Sequence, residues 1–181
     1  LAGTYTVTIT DGNGCQDTAS IIVTQPTVVG ASILSQINVS CYAGADGEAT
    51  AGGTGGVAPY SYLWDNGQIT NLSTGLIAGN HCVTVSDNNG CSISTCLLIT
   101  EPTLINIDAT AISNYNGFHI SCGGGSDGIA TVSTLFGGTP YFNGSYNFLW
   151  ANGQTTITAT GLFTGMNYVT VTDSLGCAMV D

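Results

Sequence analysis

Residues 81–91 read HCVTVSDNNGC. Apolar and polar residues alternate, an Asp-Asn-Asn-Gly turn reverses the chain, and a cysteine closes the phrase. Period-two alternation marks a half-buried strand, and glycine and asparagine take the positive φ of a tight turn without strain. The phrase occurs twice more, as YTVTITDGNGC at 5–15 and NYVTVTDSLGC at 167–177. Three copies in one chain identify a tandem array, and each copy fixes the phase of the residues around it.

Working outward, residues 1–26 read as the closing hairpin of a truncated upstream repeat, ended by Gln25-Pro26, because proline cannot donate to a ladder. Residues 27–102 read as one complete repeat. Its expected strands are Ile33–Val39, Glu48–Ala51, Tyr60–Trp64, Gln68–Leu72, the opening phrase and Ser92–Ile99, with Glu101-Pro102 closing it. Residues 103–181 repeat the plan. Cys122 matches Cys41, Asp127-Gly128 matches Asp46-Gly47, Pro140-Tyr141 matches Pro59-Tyr60, and Phe148–Gln154 matches Tyr62–Gln68. The third copy ends so close to Asp181 that this repeat is expected to lack its last strand. Its extra residues fall at 113–119 and around 143–145, which reads as surface loops, where added length has a small entropic cost. Short strands, frequent turns, a mid-strand tryptophan and no helical periodicity predict an all-β fold of tandem immunoglobulin-like β-sandwich repeats with disulfides.

Composition excludes several functions. The chain has no lysine or arginine against eleven acids, a formal charge of −11. It therefore has no cationic footprint for nucleic acid or anionic lipid. No run approaches the ~18 apolar residues of a membrane helix. Seven cysteines at regular spacing point to an oxidising, extracellular setting, and the absence of trypsin sites suits exposure there.

The repeat frame sorts the cysteines. Cys41 and Cys91 frame the middle repeat, and Cys122 and Cys177 take the same positions in the next, so pairs 41–91 and 122–177 are expected. Cys15 is a closing cysteine without its partner in this segment. Cys82 and Cys96 are equidistant from the turn at Asn89 and predict a cross-strand bridge. The competing scheme joins each closing cysteine to the next opening one, 15 to 41 and 91 to 122, and staples neighbouring repeats. The cysteines lack the CxxC spacing of a zinc site.

Asp11, Asp87 and Asp173 head the three turns. Either they cap their own backbone, or their oxygens hold calcium; no EF-hand spacing is present. His81 and His119 have no relay partner nearby. Gly123-Gly124-Gly125 lacks the lysine and helix start of a phosphate loop. Nothing selects two acids from the eleven for glycoside hydrolysis, and the chain reads as a non-enzyme without cofactor. Trp64 and Trp150 recur at one strand position and read as core rather than a sugar platform. Tyr42, Tyr115, Phe118 and Phe142 are the candidates for exposed contacts. Asn38, Asn71 and Asn143 head Asn-X-Ser sequons.

The run Cys41-Tyr42-Ala43-Gly44-Ala45-Asp46-Gly47, then Gly55 through Gly67 with Pro59-Tyr60 and Leu63-Trp64-Asp65-Asn66-Gly67, then Leu76–Gly79 on to Cys91, resembles the SprB-type repeat of Bacteroidota surface proteins, including gliding adhesins. The resemblance implies an extracellular, type IX-secreted protein of many tandem repeats at the cell surface, and supplies no catalytic residues. The expected partners are neighbouring repeats of the same chain, lateral copies in a fibre, and a glycan or other surface ligand. The reading is a stiff, protease-resistant spacer in a surface filament or adhesin. The alternatives are an array of carbohydrate-binding modules and an accessory region of a large secreted hydrolase.

Overall fold

The computed structural model describes residues 1–181, and every regular element in it is a strand. The chain divides into two compact units, one of residues 1–35, 49–73 and 81–97, the other of 36–48, 74–80 and 98–181.

The N-terminal hairpin pairs β1 (Gly3–Thr10) with β2 (Gln16–Val23), antiparallel, with Tyr5 opposite Ile21 and Val7 opposite Ala19. Opposed residues share a face, so Tyr5, Val7, Ile9, Ala19 and Ile21 form an apolar face and Thr4, Thr6, Thr8 and Thr10 the polar one. That apolar face is uncovered, with Val7 56 % and Ile9 66 % exposed. Their counterparts in the other two copies, Val83, Val85, Val169 and Val171, are each 0 % exposed.

The middle repeat supplies β3 (Gly30–Ile37), β4 (Gly47–Thr54), β5 (Ser61–Trp64), β6 (Leu72–Leu76), β7 (Gly79–Ser86) and β8 (Ser92–Ile99). They form two three-stranded sheets, ordered β3-β4-β6 and β5-β7-β8. The third repeat supplies β9 (Asn106–Ala111), β10 (Gly128–Phe136), β11 (Asn147–Trp150), β12 (Thr158–Leu162), β13 (Val169–Thr172) and β14 (Ala178–Val180). Its sheets are β9-β10-β12 and β11-β13-β14, the same order strand for strand. The architecture is thus all-β, five small sheets in all, with an internal repeat of topology as well as of sequence.

Each buried face follows the alternation. Ala130 and Val132 of β10, Trp150 of β11, Ala159 and Leu162 of β12, and Val169 and Val171 of β13 make one apolar cluster. Burial of each valine contributes roughly 1.5–3 kcal/mol before chain entropy is set against it. The corresponding residues of the middle repeat, Ala49, Ala51, Trp64, Leu76, Val83 and Val85, are all buried too.

Four local expectations need correction. The strand expected at Glu48–Ala51 runs further, with residues 52–54 the end of β4, where a Cβ on Gly53 would fall 2.7 Å from the Tyr60 ring. Residues 68–71 are not a strand: they curl over the tryptophan, the Trp64 N–H donating to Gln68 O and its indole N–H to Thr70 O, so β6 starts at Leu72. The counterpart of Tyr60 is Tyr146, not Tyr141. The Tyr60 hydroxyl donates to Gly55 O at 2.6 Å and that of Tyr146 to Gly137 O at 2.7 Å. The third repeat's extra residues form a turn closed by Gly144 N–H to Tyr141 O just before it. Finally, Ala178–Val180 do form a strand, three residues long, on β13.

Candidate functional site

The chemistry that stands out is at the cysteines. Cys41 is bonded to Cys177 and Cys82 to Cys96, with Cα atoms 5.6 and 4.1 Å apart. Cys15, Cys91 and Cys122 are free and exposed. The pairs 41–91 and 122–177 are therefore not formed, and neither are 15–41 and 91–122. The opening cysteine of one repeat is joined instead to the closing cysteine of the next.

Hydrogen bonds explain why. The Cys41 loop is tied to the segment that leaves the middle repeat. Val39 N–H donates to Thr100 O at 3.0 Å, Thr100 N–H to the Asn38 carboxamide at 3.1 Å, and Ala43 N–H to Glu101 Oε2 at 2.6 Å. The Cys177 turn is tied to the segment that enters the third repeat. Ser174 N–H donates to Thr139 O, and Gly138 N–H to Thr103 O, both backbone links at 3.0 and 2.8 Å. Residues 100–103 thus bring the Cys41 loop and the Cys177 turn to one place. The Cys91 turn is held elsewhere, by Val57, next to Gly56, whose N–H donates to Thr27 O. A 260 Å³ cavity lies at the bonded junction, lined by Cys41, Tyr42, Pro102, Leu104, Cys177 and Met179.

The turns that carry the closing cysteines are built by their aspartates. Asp87 Oδ1 accepts the N–H groups of Asn89 and Cys91, both at 2.9 Å, and Oδ2 that of Val57 at 3.0 Å. Asp173 repeats this with Leu175, Cys177 and Thr139. Asp11 accepts from Asn13 and Cys15. Both oxygens of Asp87 and of Asp173 are committed to backbone donors. The Val57 N–H first, then those of Cys91, Asn89 and Gly90, hold the Asp87 carboxyl below its ordinary value, against the opposing effect of burial. Gly56 and Gly138 stand over these carboxylates at φ +55° and +61°, and a Cβ there would meet Asp87 Oδ2 at 2.5 Å and Asp173 Oδ2 at 2.8 Å.

The opening cysteines sit in a matching pair of loops. Ser40 N–H donates to Asp46 Oδ1 at 3.0 Å and Ser121 N–H to Asp127 Oδ1 at 3.1 Å. The serine hydroxyls hold both carboxyls below their ordinary values, and at Asp127 the Tyr115 hydroxyl adds to this. Tyr115 itself is pushed up by burial first and by the Asp127 charge second.

A cavity of about 710 Å³ opens in the third repeat, lined by Phe118, Cys122, Ile129, Trp150, Leu162 and Phe163 among others. Gly128 also lines it. At Gly47, its counterpart, an added Cβ would lie 3.0 Å from Ile99 Cγ2, whereas at Gly128 the three nearest atoms all belong to Leu162.

Trp64 and Trp150 are 2 % and 3 % exposed, their indole N–H groups donating to Thr70 O and Thr156 O. Tyr42, Phe118 and Phe142 are at the surface. Asn38, Asn71 and Asn143 are all exposed. The Ser73 hydroxyl of the second sequon is buried and accepts from Asn66 Nδ2, and the Asn143 carboxamide accepts from its own Ser145. His81 Nδ1 lies 3.3 Å from Asp65 Oδ1. The Ser113 hydroxyl donates to His119 O. No three His, Cys, Asp or Glu side chains come together as a metal site, and no helix is long and apolar enough to cross a membrane.

These features define a disulfide-bonded all-β repeat module. Residues 34–69, from β3 through the Trp64 turn, match the family model described as the SprB repeat. Among curated proteins, none matches the chain.

Proposed function

We propose that this segment is a structural and adhesive repeat array of a long extracellular surface protein, in which each repeat is an immunoglobulin-like sandwich and the chain acts as a stiff, protease-resistant spacer. The observation that carries this reading is the bond between Cys41 and Cys177, which ties consecutive repeats covalently across a linker of few residues. A flexible linker leaves neighbouring domains free to reorient; a second covalent connection removes most of that freedom. The match to the SprB repeat and the seven cysteines support a surface location in an oxidising medium. The absence of lysine and arginine denies trypsin-like proteases a cleavage site. Negative-stain images of the native protein test the reading. Uniform thin fibres with a regular bead spacing are expected, and isolated globules without a preferred spacing overturn it.

A carbohydrate-binding array is the second reading, and Phe142, fully exposed at the tip of the Tyr141–Ser145 turn, is the residue that favours it. Glycan-array binding abolished by Phe142→Ala would move the assignment there.

A further inference from the structure

Asn-Gly occurs six times in the chain, at 13–14, 66–67, 89–90, 116–117, 143–144 and 152–153. The pair is reactive because glycine has no side chain to keep its own backbone nitrogen from attacking the asparagine Cγ. Five of the six sit in one kind of turn. Gly14, Gly67, Gly90, Gly144 and Gly153 each donate their N–H to the carbonyl three residues back, at 2.7 to 3.0 Å. The residue that accepts (Asp11, Trp64, Asp87, Tyr141 or Trp150) donates its own N–H to the carbonyl four residues on, at 2.9 to 3.0 Å. The nitrogen that would attack is therefore committed to a backbone bond inside a doubly closed turn.

Asn116-Gly117 is built otherwise. It forms the two central residues of a turn between Tyr115 and Phe118, whose backbones exchange bonds of 2.6 and 3.2 Å. Both central residues have positive φ, +55° and +92°, a left-handed form that asparagine and glycine tolerate best. Tyr115 and Phe118 make an isolated bridge outside any strand. The Gly117 N–H takes no part in that bridge and donates instead to the Asn114 side chain, at 2.8 Å. Asn114, Asn116 and Gly117 are all exposed.

We infer that Asn116 is a self-modification site that converts to isoaspartate without an enzyme, while the fold holds the other five Asn-Gly pairs inert. The Gly117 nitrogen bonds to Asn116 Cγ and loses its proton. The carboxamide C–N bond breaks, and its nitrogen leaves as ammonia. Water then opens the five-membered imide. Opening at the side-chain carbonyl leaves aspartate; opening at the main-chain carbonyl leaves isoaspartate, with the backbone rerouted through Cβ and Cγ. Either product carries one new negative charge. Isoaspartate also adds one backbone atom inside a turn of two residues, which breaks the Tyr115–Phe118 bridge. Tyr115 hydrogen-bonds Asp127, the carboxylate that holds the Ser121 N–H beside Cys122. The change at Asn116 therefore reaches the Cys122 loop. It is confined to the third repeat, whose added segment 113–119 carries the turn. None of this depends on the spacer reading.

The unaltered 181-residue chain is kept in mildly alkaline buffer made with oxygen-18 water, folded in one arm and in concentrated urea in the other. Each ring opening leaves one heavy oxygen at its site. Peptic digestion, which needs no lysine or arginine, and mass spectrometry then read the six sites separately. Electron-transfer fragmentation distinguishes isoaspartate from aspartate. In urea the six should react at similar rates, because glycine follows every one of these asparagines. In the folded chain Asn116 should react roughly tenfold faster than any other, since the five closed turns must open before attack. Asn114→Ala removes the one bond on the Gly117 N–H and should quicken Asn116 by roughly threefold, leaving the other five unchanged. A folded chain in which another Asn-Gly pair reacts first, or in which Asn116 is as slow as the rest, overturns the inference.

Discussion

Asp87 Oδ2 accepts the backbone N–H of Val57 at 3.0 Å, thirty residues back along the chain, while its Oδ1 serves the Asn89 and Cys91 N–H groups of its own turn. One buried carboxylate therefore both folds the turn and fastens it to the loop that follows β4. Asp87→Asn replaces one acceptor oxygen with an N–H₂ donor, which sets a donor against a donor at Val57 or in the turn. The melting temperature should fall by on the order of 5 °C, and Asp173→Asn should behave alike because Thr139 takes the place of Val57. Thermal melts with and without calcium separate the two readings of these turns. A calcium-dependent rise in the parent chain would assign them to metal rather than to backbone capping.

The same carboxylates set the acid limit. Asp46, Asp87 and Asp127 are all held below their ordinary value of 3.8 by hydrogen bonds to the ionised form. Depressed folded-state values mean stability that is fully present above pH ~3.8 and lost as pH falls through the folded values. Melting temperatures should be flat near neutrality and drop steeply below about pH 4. Ser40→Ala should shallow that drop, since the Ser40 side chain is the largest cause at Asp46. An unchanged melt at pH 3 would contradict the assignment.

Much of this was legible beforehand because strand periodicity and turn chemistry are local. Val83 and Val85 could be placed on a buried face from HCVTVS alone, and Trp64 in the core from its recurrence. The pairing of the frame cysteines 41, 91, 122 and 177 was not legible. The repeat frame shows that Cys41 and Cys122 are equivalent and that Cys91 and Cys177 are equivalent, but equivalence is silent on which segment each turn is fastened to. That depends on non-local bonds such as Ala43 to Glu101 and Ser174 to Thr139, which no sequence pattern announces. Tyr146 was missed for a simpler reason. The Pro-Tyr dipeptide at 140–141 imitates Pro59-Tyr60, whereas the distance to the tryptophan, four residues in both repeats, identifies the true counterpart.

The second disulfide replaces a weaker device. In the N-terminal hairpin Thr6 and Ser20 stand opposite each other and share a hydrogen bond of 2.8 Å. Cys82 and Cys96 occupy the corresponding positions of the middle repeat and are bonded. Closing a loop of 14 residues contributes about 3 kcal/mol by its effect on the unfolded chain. In a Cys41→Ser/Cys177→Ser background, Cys82→Thr/Cys96→Ser should therefore lower urea stability by roughly 2–3 kcal/mol. Reductant should lower the background protein to nearly the same value and leave the variant unmoved.

Trp150→Ala tests the core against a sugar-stacking role. The ring is 3 % exposed and packs in the apolar cluster with Val132, Leu162, Val169 and Val171, so its removal leaves a void there. The expected loss is roughly 3–5 kcal/mol, and Trp64→Ala should be comparable. Tryptophan fluorescence of the parent should be blue-shifted and indifferent to soluble glycans. Quenching by a glycan at unchanged stability would place the rings at a binding surface.

Pulling on the chain from its two ends gives the most direct reading of the junction. The Cys41–Cys177 bond encloses a sequence separation of 136 residues, and the Cys82–Cys96 loop lies inside it. However completely the repeats unfold, that length stays out of reach of the force while the outer bond holds. At 3.3–3.6 Å per extended residue, reductant should release roughly 450–490 Å of additional contour length per chain. Cys41→Ser should show that length without reductant, apart from the roughly 50 Å still locked inside the inner loop. The within-repeat pairs would instead release their length in two separate portions, one for 41–91 and one for 122–177, and each would be lost independently on mutating Cys91 or Cys122. Single-molecule extension traces of the parent and of the variants at Cys41, Cys91 and Cys122 decide between a staple across the junction and a clasp within each repeat.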